Sequence, residues 1–500
     1  FSQKPGPCGD GTDHISGLPD DLLLLILAGL GCTAAAARTS GLSRRWRGLW
    51  ARLGDISLSD VPFQSLATVL SLVARPPPPV ISLLHIRVPS QNRRVPSEHW
   101  PVPAEADVAS LMRAAARLVP EILVVALPWG GSNPNPADLH LPCFHRTASI
   151  VLESLSFVLR VPATCGEFVA LRKLYLLDCI VMDEHLDALL SLCPCLCVLL
   201  LSHKSTTWTG DHWRRTVHST TLEELEVDSE RAWVSRVDIA APAVKQLRVS
   251  FWADDEISIS ISAPMVEKFW WLCRYATGAI RFGLWSLHTL RLGTAETPGQ
   301  LPSLKIYVSN ADYDLSAEDE EANLAQEIEK HLVIEFSDLE LHLAAHGHVF
   351  GALVFHILGM NRIRNAIRRF KIFRERFREK EACPANCPCE PTDWRTQTIA
   401  LTALEEVEID GFQGDDHEYD LLELIFSCAP MLKRMTVKIS CKVSSSNNAC
   451  TKLHDIFAAR SSVECHVYLY SVTKEKNLLS RLADHLLVSW HTLFYSCYIP

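Results

Sequence analysis

Six stretches of the form L-x-x-L-x-L constrain this chain more than anything else in it. They read Leu171-x-x-Leu174-x-Leu176, Leu196-x-x-Leu199-x-Leu201, Leu222-x-x-Leu225-x-Val227, Val244-x-x-Leu247-x-Val249, Val266-x-x-Phe269-x-Trp271 and Leu287-x-x-Leu290-x-Leu292. Their starts are 25, 26, 22, 22 and 21 residues apart, inside the roughly 20–29 residues of a leucine-rich repeat. Each unit is then a strand plus a return segment, too small to bury its own apolar face, so neighbours must stack into a ladder. Looser copies stand at Leu152, Leu301 and Leu404. The spacing predicts an α/β leucine-rich-repeat solenoid.

Side chains alternate along a strand, so the leucines point inward and the residues between them line the opposite face. On that face fall Lys173 and Tyr175, Val198 and Leu200, Glu224 and Glu226, Gln246 and Arg248, Lys268 and Trp270, Thr289 and Arg291, then Lys305 and Tyr307. Most are polar, which supports this register, because a slip of one residue would bury the charges. Tyr, Trp and Arg are enriched at interface hot spots. Tyr175, Arg248, Trp270, Arg291 and Tyr307 are therefore the candidate residues for binding a target protein.

A second constraint lies at His14 to Trp50, HISGLPDDLLLLILAGLGCTAAAARTSGLSRRWRGLW. Pro19 suits the first turn of a helix, and Asp20 and Asp21 sit at its positive end. Leu22, Ile26 and Leu30 recur at i, i+4 and i+8, with Leu23, Leu24, Leu25 and Leu27 beside them. A helix apolar nearly all round must be covered from two sides. Ala34 to Arg38 predicts a second short helix, and Ser43 a cap for a third holding Arg44, Arg45, Trp46 and Trp50. So small a block calls for a partner.

The wording of this block, L-P-D-x-L-L-x-x-I-L followed by A-R-T-S-x-L-S-R-R-W-R-x-L-W, resembles the plant F-box, with Gly31 where that family usually has proline. Cys193-Pro194, Ala241-Pro242 and Ala263-Pro264 before the later strands, and the tract Leu141 to Ile150, are similar to plant F-box leucine-rich repeats. Residues Trp394 to Val437, with L-E-E-V-E-I-x-G-F-x-G, resemble the FBD module: a strand from Leu404 to Ile409, a turn on Gly411 and Gly414, a helix from Tyr419 to Cys428 and a returning strand. The domains expected are a disordered 1–13, an F-box over 14–54, repeats over 55–392, an FBD module over 393–470 and a tail over 471–500. The resemblance implies a substrate receptor of an SCF-type ubiquitin ligase. Leu18, Pro19, Leu22, Ile26, Leu27, Leu30 and Trp46 would meet the Skp-family adaptor, and through it a cullin. The alternatives are a binding scaffold of the same fold outside any ligase, and a small-molecule receptor.

Between the two blocks the pattern predicts a strand at Asp55 to Asp60, a helix from Phe63 to Ala74, strands at Ile81 to Val88 and Ile122 to Leu127, and a helix around Val108 to Leu118. Acidic residues outnumber basic ones, 58 to 48, for a net charge of −10. That balance argues against a nucleic-acid partner, which needs a basic surface. No run reaches the roughly 18 apolar residues of a membrane span. A start at Phe1 rather than methionine is what a fragment or an incomplete gene model would show, and residues 1–13 lack the apolar core expected of a signal peptide. The 17 cysteines are then expected as reduced thiols, in the cytoplasm or nucleus.

Enzymatic chemistry finds no constellation: G-x-S-x-G, H-E-x-x-H and a phosphate-binding glycine loop are missing from the sequence. Cys383, Cys387 and Cys389 are spaced C-x3-C-x-C among prolines, which reads as a stiff loop rather than the two separated pairs of a zinc site. The basic stretch Arg362 to Lys380, interleaved with Ile363, Ile367, Phe370 and Ile372, reads as the solvated face of a packed element. No cofactor is expected.

Overall fold

A computed structural model of the chain describes residues 15–469 apart from 16, 60, 76–79, 89–103, 128–136, 154–156, 162–165, 204–212, 277–278, 295–301, 311–321, 376–388, 390–393 and 440–446. The expected N-terminal segment 1–13, the tail 471–500, Leu301, Cys383 and Cys387 lie outside the described residues. The chain divides into two compact units, 1–269 and 270–500.

The first unit opens with helices α1 (Asp20–Ala28) and α2 (Thr33–Arg38). It continues with β1 (Asp55–Leu58), α3 (Phe63–Val73), β2 (Leu83–Arg87), α4 (Glu105–Arg117) and β3 (Ile122–Ala126). Next come β4 (Ala137–His140), β5 (Ser149–Glu153), β6 (Phe157–Arg160), β7 (Lys173–Leu177), α5 (Asp183–Ser191) and β8 (Val198–Ser202). Strands β9 (Trp213–His218), β10 (Glu224–Ala240) and β11 (Gln246–Ser262) end it. The ladder runs β1-β2-β3-β5-β7-β8-β10-β11, every neighbour parallel.

The repeat is written into the backbone. At most steps one carbonyl just before a strand accepts two successive N–H groups of the next rung, while at β2 Ile81 and Ser82 take Glu121 and Ile122 one each. Gly54 takes Ser82 and Leu83, Glu121 takes Ala148 and Ser149, Arg172 takes Cys197 and Val198, Cys197 takes Glu223 and Glu224, and Glu223 takes Lys245 and Gln246. Each such carbonyl uses both lone pairs, so the rungs cannot slip without losing two bonds at once. Inside the ladder, Leu174, Leu199, Leu225 and Leu247 are all 2% exposed or less.

Rung length sets the return path. The long steps from β1 to β2 and β2 to β3 accommodate α3 and α4. Where Glu224 pairs with Gln246, only 22 residues on, no helix fits. There β10 and β11 simply run on for 17 residues each, their pairing shifting register between Ser229 and Trp233, and they stay paired in their second halves, where β10 also pairs with β9. Thus β10 and β11 serve both the ladder and the return side.

The second unit begins within β12 (Lys268–Arg274) and contains β13 (Ile280–Phe282), β14 (Trp285–Gly293), β15 (Ser303–Asn310), β16 (Ala322–Asn323), α6 (Leu324–Lys330) and β17 (Asp338–Ala344). It goes on through α7 (Gly351–Gly359), α8 (Asn361–Ala366), β18 (Arg369–Arg374), β19 (Glu406–Phe412), α9 (Asp416–Cys428), β20 (Arg434–Ile439), α10 (Asn447–Ala458) and β21 (Glu464–Leu469). From β15 onward the ladder β15-β17-β18-β19-β20-β21 is again parallel, with the same paired acceptors at Pro302, Ser337, Arg368 and Glu405.

Here two expectations are corrected. The sixth leucine unit, at Leu287 to Leu292, is strand β14, and it runs antiparallel to both β12 and β15. Phe282 pairs with Trp285 across a tight turn at Gly283, whose φ of +57° sits where glycine is favoured. A hairpin replaces the return segment, and the direction reverses. The FBD-like glycine Gly411 is not a turn either: it is a bulge inside β19, between Asp410 and Phe412. Its φ is +89° and an added Cβ would stand 2.7 Å from the carbonyl oxygen of Arg374, so the backbone of β18 approaches through the missing side chain.

Candidate functional site

The N-terminal block sorts its apolar residues into two sets. Leu23, Leu27, Ala36, Trp46, Leu49 and Leu53 form a buried cluster, with Leu18, Leu24 and Trp50 packed on its margin. Leu22 and Ile26 are 44% exposed, Leu30 45% and Leu25 67%. Leu22, Leu25 and Ile26 lie at i, i+3 and i+4 on α1, on the side away from Leu23 and Leu27, and Leu30 follows two residues past its end.

Of the seven residues expected at an adaptor, Leu22, Ile26 and Leu30 are on the open stripe, Pro19 is exposed at the helix start, and Leu18 is half-buried. Leu27 and Trp46 are 1% and 7% exposed and belong to the block's own interior, which corrects their placement on the surface. Leu25 joins the stripe; its signal was the helical phase, fixed once Leu23 and Leu27 are known to face inward. The expected third helix is also absent. Residues after Ser43 form turns, Gly48 takes a φ of +83°, and only a 3-10 turn at Leu49–Arg52 follows.

Asp20 fastens this block. Its Oδ1 accepts from Arg45 Nε and Nη2 at 3.1 and 2.9 Å, and its Oδ2 from Arg52 Nη1 at 3.0 Å. Hydrogen bonds from Arg45 first, then Arg52, hold its carboxyl below the usual range. Arg45 also donates to the carbonyl of Leu18. The basic segment thus ties the start of α1 to the polypeptide that follows α2.

The ladder faces come next. In the first unit, Tyr175 and Arg248 share one row, Tyr175↔Leu200↔Glu226↔Arg248, each half-buried. In the second unit, Arg291 lies over the Trp270 ring, 5.6 Å from its centroid, and Trp270 is half-buried. Tyr307 stacks on His342 at 4.2 Å, and His342 on Phe373 at 4.8 Å, so three aromatic rings cross β15, β17 and β18. Burial raises the Tyr307 phenol, against the pull of Arg291. Beside this strip the charges are paired across strands: Lys305 with Glu340 at 2.8 Å, Arg369 with Asp338 at 2.8 Å, Arg434 with Glu406 at 3.1 Å. Burial works against the Glu340 carboxylate, yet hydrogen bonds from His342 and Lys305 outweigh it and bring the group down to about 2.

Two enclosed polar clusters in the second unit are held by internal partners. Trp271 Nε1 donates to His331 Nδ1 at 2.8 Å, and Tyr275 Oη donates to Glu327 Oε1 at 2.8 Å. Arg374 Nη1 donates to Glu418 Oε1 at 2.8 Å, while Glu418 Oε2 accepts the N–H groups of Gln413 and Asp415 at 2.9 and 3.0 Å. Burial pushes the Glu418 carboxyl up, opposed by Arg374. In the first unit a small cleft is lined by Leu176, Cys179, Ser202, His203, Arg215 and Asp228. Burial brings the Arg215 guanidinium down to about 10.

Among the described residues no group of three or more His, Cys, Asp or Glu is placed to hold a metal ion, and no helix is long and apolar enough to cross a membrane. Cys389 is buried. Ten described cysteines are free thiols, but Cys143 is disulfide-bonded, which departs from the expectation of reduced thiols throughout.

Residues 109–283 match the family model described as the repeats of the FBD-associated F-box protein At5g56370. Over those residues the chain is similar to the leucine-rich repeats of an FBD-associated F-box protein. It is similar to several proteins of Arabidopsis thaliana. It is 41% identical over 62 residues to the putative FBD-associated F-box protein At5g56560, covering 12% of this chain and 15% of that one. With F-box/LRR-repeat protein 13 it shares 45% over 64 residues, 13% and 14% of the two chains. The putative F-box/LRR-repeat protein At5g02700 is 26% identical over 258 residues, 51% of this chain and 52% of that one. The chain therefore spans a small part of the first two relatives and about half of the third. No solved structure matches.

Proposed function

We propose that this F-box/leucine-rich-repeat protein is a substrate-recognition subunit of an SCF-type ubiquitin ligase. In this reading residues 14–54 are the F-box, which docks on a Skp-family adaptor and through it a cullin. Residues 55–392 are the repeats that hold the target, and residues 393–470 are the FBD module that closes the ladder. The protein acts by positioning, bringing a bound target near a ubiquitin-conjugating enzyme, and its own residues make or break no bond. It works in the cytoplasm or nucleus.

The observation that carries this is the exposed stripe Leu22, Leu25 and Ile26 on α1, continued by Leu30 just past its end. The block's own core is already filled from the other side, by Leu23, Leu27 and Trp46. Water-facing apolar residues clustered on one helix face mark an interaction site. Covering what is still exposed of each is worth about 1 kcal/mol. The relatives' names make an F-box the natural assignment of that block.

The test is capture of a purified Skp-family adaptor by the chain and by the double variant Leu22→Asp, Ile26→Asp. Both side chains face solvent, so the variant should keep its melting temperature while losing the adaptor. Capture at the wild-type level would sink the proposal.

A further inference from the structure

The two faces of α1 are held and used differently. Asp20, Leu23 and Leu27 stand at i, i+3 and i+7, on one side of a helix of nine residues. Leu23 and Leu27 enter the apolar cluster with Trp46 and Leu49, but at the first turn the same side presents a carboxylate. Leu22, Leu25 and Ile26 point the other way and are exposed. The turn that carries Leu22 is therefore anchored by charge, where the middle and end of the helix are anchored by packing.

An anchor is needed there. A helix this short is marginal by itself, and its N-cap is Pro19, which makes no side-chain hydrogen bond to the first-turn N–H groups. In place of a cap, three hydrogen bonds grip Asp20 from outside the helix: Arg45 through Nε and Nη2 at 3.1 and 2.9 Å, and Arg52 through Nη1 at 3.0 Å. Arg45 Nη2 also donates to the carbonyl of Leu18, so one guanidinium holds residues on both sides of Pro19. In sequence, Arg45 and Arg52 bracket Trp46 and Leu49, which share the buried cluster with Leu23 and Leu27. The stretch from Arg45 to Arg52 thus grips α1 twice, by charge at its start and by packing further along.

We propose that Asp20 is a positioning residue for the adaptor contact: clamped by Arg45 and Arg52, it fixes the first turn of α1 so that Leu22 is presented in line with Leu25 and Ile26. Asp20 itself faces away from the adaptor. This rests on the F-box reading above and names the charge on which that apolar stripe depends. Without the clamp the first turn opens, and the adaptor must reorder it on binding, so affinity falls. An exposed ion pair adds little to global stability, and the opening of one turn is local. The effect therefore shows in adaptor binding and in local protection, not in the melting temperature.

Two measurements on the full chain test this. The first is amide hydrogen exchange of the chain alone. The N–H groups of Leu22 and Leu23 donate to the Pro19 carbonyl at 3.1 and 3.2 Å. Asp20→Asn should speed their exchange severalfold and leave Ala36, bonded to Cys32 in α2, unchanged. The second is titration with a purified Skp-family adaptor. Asp20→Asn and Arg45→Met should each weaken binding about three- to tenfold. The double variant should bind no more weakly than the weaker single, because partners in one network are not additive. Asp20→Glu should recover most of the affinity. Additive losses would show two side chains that touch the adaptor separately and would overturn the proposal. So would unchanged exchange at Leu22 and Leu23. Wild-type binding that Asp20→Asn leaves intact would refute this inference alone, whereas a wild-type chain that ignores the adaptor would refute the F-box reading and this inference with it.

Discussion

Replacing Tyr275 by phenylalanine removes one oxygen from a buried chain of hydrogen bonds whose direction is fixed. An indole N–H can only donate, so His331 Nδ1, 2.8 Å from Trp271 Nε1, must be the acceptor nitrogen. A neutral imidazole then carries its proton on Nε2, where it faces Tyr275 Oη and, at 3.3 Å, Glu327. Tyr275 passes its own proton toward Glu327 Oε1, and Lys330 holds Oε2 at 2.8 Å. With Oη gone, a buried N–H loses its better acceptor and a carboxylate loses a donor. A hydrogen bond to a charged group is worth about 1.5–3 kcal/mol, and the long His331–Glu327 contact recovers part of this. The expected loss is about 2–3 kcal/mol, read by urea unfolding with tryptophan fluorescence, which Trp271 reports from inside the cluster. The same network predicts acid sensitivity. Burial lowers the His331 pKa below its ordinary 6.5, with Glu327 opposing. The folded state therefore binds that proton less readily than the unfolded chain. The stabilisation is present above pH 6.5 and drains away below it, by about 1.4 kcal/mol per pH unit until the folded-state value is reached. A loss under about 0.5 kcal/mol for Tyr275→Phe, or a flat stability between the unfolded and folded values, would refute this assignment.

Gly411→Ala forces a Cβ to 2.7 Å from the Arg374 carbonyl at a φ of +89°, and should cost about 1–3 kcal/mol in a denaturation series. Arg374→Met leaves the buried Glu418 carboxylate without its cation and should cost about 3–5 kcal/mol; a neutral effect would show that Glu418 is already protonated. Glu340, at about 2 in the fold against 4.5 ordinarily, contributes stability above pH 4.5 that is lost as pH falls toward 2. Lys305→Met should flatten that acid limb, and an unchanged limb would show that Lys305 is not what stabilises the carboxylate.

The middle of the ladder was legible because a leucine triplet at 22–26 residues leaves only one economical way to stack. The elements from Phe63 to Val73, Ile122 to Ala126 and Asp416 to Cys428 also match the pattern closely. Rungs with helical returns were harder, since α3, α4, α7 and α8 lengthen the step beyond a recognisable period. Strand direction was invisible: Leu287, Leu290 and Leu292 alternate inward equally well in either sense, and only the hairpin at Gly283 decides. The same limit explains Leu27 and Trp46, whose apolar character fits a core as well as an interface. The two enclosed networks at His331 and Glu418 had no local signal, because their partners lie 60 and 44 residues away in sequence. Helix α10 and strand β21 were missed for want of the triplet.

Size-exclusion chromatography with light scattering, on the chain mixed with a purified Skp-family adaptor and cullin, tests the receptor role most directly. The account predicts a ternary complex with one copy of each component, lost when Ile26→Asp breaks the α1 stripe and unaffected by Leu200→Asp on the ladder face. Separate elution of wild-type chain and adaptor at micromolar concentration would contradict it.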